Sequence, residues 1–85
     1  MKKLGIIGII VQGDHAVTVR MQELLFSFRD IIIGRMGIPQ AAENTSAISL
    51  VVKGTVERIS ALTGQLGRLD SIAVKSAITS AGVKE

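Results

Sequence analysis

The sequence has no cysteine, tryptophan or tyrosine, and only one histidine, one proline and two phenylalanines in 85 residues. Without thiols there can be no disulfide, no thiolate metal site and no cysteine-held iron–sulfur cluster. His15 is the single imidazole, and neither Asp14 beside it nor Glu23 further along gives a standard metal spacing, whereas metal sites need several converging ligands. No metal or other cofactor is expected, and His15 reads as structural or exposed. The scarcity of aromatic rings removes the stacking platform that RNA-binding sheets use. Catalytic patterns are missing too. Gly5-Ile6-Ile7-Gly8 completes neither a dinucleotide fingerprint nor a phosphate loop, no serine has a partnering histidine and acid, and Asp14, Asp30 and Asp70 stand apart. The pattern supports no enzyme.

Charge is also thin. The formal net charge is +3, with ten basic residues spread from Lys2 to Lys84 rather than gathered on one stripe. Nucleic-acid binders concentrate theirs, so a nucleic-acid partner is not expected. Met1-Lys2-Lys3 followed by Leu4 to Val11 has the look of a signal-peptide start. However, Gly5 and Gly8 interrupt the run and no small-residue cleavage site follows. The run also falls far short of the roughly 20 apolar residues that span a bilayer. A cytoplasmic protein with no membrane role is the expectation.

What the chain does have is aliphatic residues: 47% of it is hydrophobic and 2% aromatic. The length suits one small domain, expected over residues 1–80, with 81–85 a flexible tail. Leu4 to Gln12 reads as a central strand, with Leu4, Ile6 and Ile10 on one face and Ile7, Ile9 and Val11 on the other. Gly13-Asp14 makes a turn, with Asp14 as N-cap. A helix then runs to about Phe28 on a stripe of Val17, Met21, Leu24, Leu25 and Phe28, leaving Val19 and Phe26 off it. Asp30 to Ile38 reads as an edge strand, with Ile31, Ile33 and Arg35 on one face and Ile32, Met36 and Ile38 on the other. Pro39 lacks a donor N–H and so ends that strand or marks an edge.

Gln40 to Asn44 reads as a hairpin loop to an antiparallel strand, Thr45 to Lys53. Thr55 caps a second helix with a stripe of Val56, Ile59, Leu62 and Leu66, and Gly67 is placed to close it in the left-handed conformation. A last strand runs from Ile72 to Thr79, with Ile72, Val74 and Ile78 opposite Lys75. The order β-α-β-β-α-β defines an α+β, ferredoxin-like fold: a four-stranded antiparallel sheet with two helices on one face. Aliphatic side chains on the other face call for a cover, and self-association into a dimer or tetramer is the simplest one.

Two places could take a small effector. At Gln12-Gly13-Asp14-His15, helix N-terminal amides and a side-chain-free Gly13 suit a carboxylate or small anion, although Asp14 as a cap occupies one donor and repels anions. The alternative is an oligomer interface near Arg35 and Met36. Arg35 can equally serve as an edge charge against wrong pairing, or pair with a carboxylate across an interface.

The stretch Ile31-Ile32-Ile33-Gly34-Arg35-Met36-Gly37-Ile38-Pro39 closely resembles the matching segment of the small regulators of the iron-only hydrogenase system. So do Ser49 to Gly54, Ile59 to Gly67 and Val74 to Ala77, and the resemblance spans Leu4 to Ile78. It implies a stand-alone ACT-type domain that pairs with itself, often binds small effectors, and is similar to the C-terminal domain of nickel-responsive repressors. It further implies a role in iron-only hydrogenase expression or maturation in anaerobic bacteria, as a regulator. The alternatives are a sensor of amino acids or other small molecules acting on a partner protein, or a structural accessory to a hydrogenase-system protein. Two departures from the repressors stand out. One histidine and no cysteine cannot build their nickel site, and the first strand begins where a DNA-binding segment would lie.

Overall fold

The computed structural model describes residues 1–84. Its elements are β1 (Lys3–Gln12), α1 (His15–Ser27), β2 (Ile32–Ala42), β3 (Thr45–Gly54), α2 (Val56–Gly67) and β4 (Ile72–Ile78). The strands form one antiparallel sheet in the order β2-β3-β1-β4. This is the ferredoxin-like arrangement, with β1 and β3 central and β2 and β4 at the edges. Ile7, Ile9 and Val11 of β1 and Ile48, Leu50 and Val52 of β3 point to the helices, as their alternation dictates. Met21 and Leu25 from α1, Phe28 at its C-cap, and Ile59, Leu62 and Leu66 from α2 close the core over them.

Both helix starts are capped by the residues placed there. Asp14 Oδ1 accepts from the Val17 N–H at 3.2 Å, and Thr55 Oγ1 accepts from the Arg58 N–H at 3.2 Å. Val19 and Phe26 lie exposed off the α1 stripe. Val56, assigned to the α2 stripe, is exposed instead, because it opens the helix beyond the edge of the core. The α2 end also differs from expectation. No glycine has a positive φ; the last turn tightens through Arg68 N–H to Gln65 C=O, and Ser71 takes the left-handed conformation at φ 66°.

β2 departs most from its expected form. A register shift between Ile32 and Gly34 breaks the alternation, so Ile32 pairs with Val52 and Arg35 with Leu50, both on the helix side. Met36 pairs with Ser49 and Ile38 with Ala47, on the helix-free side. A bulge leaves one residue without an opposite number and reverses the parity beyond it. Ile33 is the residue skipped here, and it is exposed.

Pro39 does not end the strand. It sits in a second register shift, between Ile38 and Ala42, on an edge where its missing N–H costs no ladder bond. The hairpin loop is therefore only Glu43-Asn44, closed by the Ala42–Thr45 pair with Asn44 at φ 52°. At the other end of β3, Gly54 is required by packing: a Cβ there would lie 2.8 Å from Ile31 Cγ2.

Residues beyond β4 continue antiparallel alongside the start of β1. The Thr79 N–H donates to Leu4 O at 2.9 Å and the Val83 N–H to Lys2 O at 2.9 Å. Glu85, the last residue of the expected tail, lies outside the described residues.

Candidate functional site

Parity along the strands makes the helix-free face of the sheet apolar. β1 contributes Leu4, Ile6 and Ile10 to it, β2 contributes Met36 and Ile38, and β3 contributes Ala47 and Val51. β4 adds Ala73 and Ala77, which pair with Ile10 and Ile6. In the single chain Ile6 is 53% exposed, Ile10 47%, Met36 64% and Ile38 52%. Small residues at the centre, Gly8 and Ser49, leave a shallow depression of about 280 Å³ between Ile10, Met36, Ile38 and Lys75. Lys53, opposite Leu4, and Lys75, opposite Gly8, stand on this face with stems long enough to carry their ammonium groups outward.

The five residues singled out in the sequence do not form one site. Gly13, Asp14 and His15 stay together at the start of α1. Gly13 is solvent-exposed, but a Cβ on it would lie 3.2 Å from Ser71 Cβ and 3.5 Å from Val17 Cγ2. The Gln12 N–H is also used, donating to Ser71 O at 2.8 Å. The absence of a side chain at Gly13 thus admits the Ser71 loop, and Asp14 is committed as the cap. His15 is exposed.

Arg35 and Met36, adjacent in β2, lie on opposite faces, and the bulge before them decides which face each takes. Met36 joins the apolar face, while the Arg35 Nη2 donates to Gln22 Oε1 of α1 at 3.2 Å. The breadth of the apolar face was readable from the alternation in β1, β3 and β4. The contact of Arg35 with Gln22 was not, because it depends on the bulge. Among the described residues no group of three or more His, Asp or Glu could hold a metal ion. No described helix is long and apolar enough to cross a membrane.

The ferredoxin-like arrangement recurs in solved structures. A formyltetrahydrofolate deformylase from Pseudomonas putida KT2440 matches at 9% identity and TM-score 0.60, over 87% of this chain and 28% of that one. A nitrogen regulatory PII-like protein, CPII, from Thiomonas intermedia K12 matches at 14% identity and TM-score 0.52, over 91% and 94%. At such identities the likeness is one of fold. No curated protein matches the sequence.

The match to an uncharacterized protein, TM1266, from Thermotoga maritima is much closer: 33% identity and TM-score 0.88, over 92% of this chain and 98% of that one. The model of the TM1266-like family, described as "Iron-only hydrogenase system regulator, putative", matches residues 3–76. The chain belongs to this family.

Proposed function

We propose that the chain is a non-enzymatic, ACT-like regulatory domain of the iron-only hydrogenase system that works in the cytoplasm as a homo-oligomer, with the helix-free sheet faces of two copies against each other. The apolar face carries this reading. Soluble monomers rarely leave contiguous apolar patches of this extent uncovered, and a second copy is its simplest cover. About seven residues along four strands make a face of roughly 24 by 19 Å. Two such faces cover about 900 Å² in projection, close to the roughly 1,000 Å² that marks a specific interface. The surface has relief that a second copy could use: the Gly8–Ser49 depression lies beside the exposed Ile10, Met36 and Ile38. The family description supports the regulatory role, and the absence of any catalytic constellation in the sequence supports a binding function.

Sedimentation at micromolar concentration should give a dimer or larger species, and a stable monomer would overturn the association. Deleting the gene in its host should change iron-only hydrogenase transcript or activity. No change in either would overturn the regulatory role.

A further inference from the structure

A second cavity, of about 230 Å³, opens on the helix side of the sheet between α1 and the β2–β3 hairpin. We infer that this cleft is a binding site for a small organic carboxylate with an aliphatic body, its charge held by Arg35 and its body lying over Gly37. The inference goes beyond the regulatory reading, and the cleft opens on the helix side of the sheet. Although Ile38 and Ala47 border both it and the apolar face, ligand binding and self-association are read by different measurements, so each can fail without the other.

Three observations carry it. The first is an apolar floor: the buried side chains of Val11, Met21 and Ile48 line the cleft from three different elements. The second is Gly37, which pairs with Ile48 on this face. Its φ is not positive, and a Cβ on it would meet Ile48 Cγ1 at 3.9 Å, an ordinary contact. Neither backbone nor packing requires glycine here, in contrast to Gly54. What glycine at this position provides is open space.

The third observation is the state of Arg35, the one charged residue among those lining the cleft. Its guanidinium bonds only the neutral Gln22 amide, and no described carboxylate pairs with it, Asp30 being paired with Arg58. Guanidinium has five N–H donors in a planar fork that matches a carboxylate with two parallel bonds. Gln22 accepts through Oε1 and so keeps its amide N–H donors for the same ligand, and Ser46 adds a hydroxyl to the wall. One cation facing an apolar cavity fits a monoanion better than a phosphate ester, which would call for further positive charge. An apolar cavity of roughly 150 Å³ holds benzene, so this one has room for a branched aliphatic chain or a small ring.

The test is an NMR titration of labelled protein with isocaproate, phenylacetate and the neutral isocaproamide. Either acid should give saturable shifts at the Gly37 amide and at the Met21 and Ile48 methyl groups, with a dissociation constant in the millimolar range or tighter. The amide should bind at least about tenfold more weakly. Arg35→Gln, a surface change that leaves the core intact, should produce the same loss. Gly37→Val should abolish the shifts at unchanged melting temperature, and Gly37→Ser serves if the valine variant does not fold. No saturable shift with either acid at millimolar concentration would overturn the proposal. Equal binding of acid and amide would do the same, as would undiminished binding by Arg35→Gln or by a folded Gly37 variant.

Discussion

Two half-exposed aliphatic residues on different surfaces allow a controlled measurement of the association face. Ile10 on the helix-free side of β1 is 47% exposed and Val19 on α1 is 41% exposed. Full burial of an isoleucine side chain contributes roughly 1.5–3 kcal/mol. About half of that remains to be gained by Ile10 when a second copy covers it, or ~1 kcal/mol per copy. A two-fold interface contains the residue twice, so Ile10→Ala should weaken dimerisation by ~2 kcal/mol, about 30-fold in dissociation constant. Val19→Ala removes similarly exposed surface from a helix face with no role in the contact, and should leave the constant within about twofold. Sedimentation over a dilution series measures both. Equal effects of the two substitutions, or no effect of Ile10→Ala, would refute the assignment of the interface to this face.

The glycines make an opposed pair. Gly54→Ala forces a Cβ to 2.8 Å from Ile31 Cγ2 and should destabilise the fold by ~1–3 kcal/mol in denaturant titration. Gly64→Ala, inside α2 with nothing within 4 Å of the new Cβ, should stabilise it by ~1 kcal/mol. Thr55→Ala removes the oxygen that accepts the Arg58 N–H and should cost ~1 kcal/mol, seen as a lower melting temperature. Asp30→Asn breaks the 2.5 Å pair with Arg58, yet both side chains are largely exposed, so the loss should stay below ~1 kcal/mol and shrink further in salt.

The elements that could be read from the sequence were those governed by local periodicity. Alternation in β1 and β3 separated core residues from outer ones, since nothing interrupts their shared register. The α1 stripe and both N-caps followed from spacing and from side chains able to accept a hydrogen bond. Expectation failed where geometry is set by partners. The bulge at Ile33 reversed the parity of Arg35, which no alternation rule for β2 alone could reveal. Of the two readings of Pro39 the edge one holds and the strand end does not, since β2 is an edge with a second irregularity there. Gly67 had the composition of a left-handed cap, yet Ser71 carries the positive φ, and its loop packs on Gly13. The candidate site followed the same rule: Asp14 was found from its place before a helix, whereas the cleft formed by Arg35, Gln22 and Gly37 exists only once α1 lies over β2.

The central position of β1 also bears on how the chain reaches this state. Its two neighbours are β3 and β4, and Gly5 meets Ile78 near the far end of the sequence. The first strand of this domain to be synthesised is thus the last to have both edges satisfied. Such distant pairing raises contact order and slows folding. In the interval a segment with two isoleucine pairs presents an open edge with apolar side chains on both faces, the state from which intermolecular strand pairing begins. β2, at one border of the finished sheet, is guarded by two irregularities and a proline. β4 has an unbroken register with β1, so the completion of the last strand is what withdraws the first from aggregation.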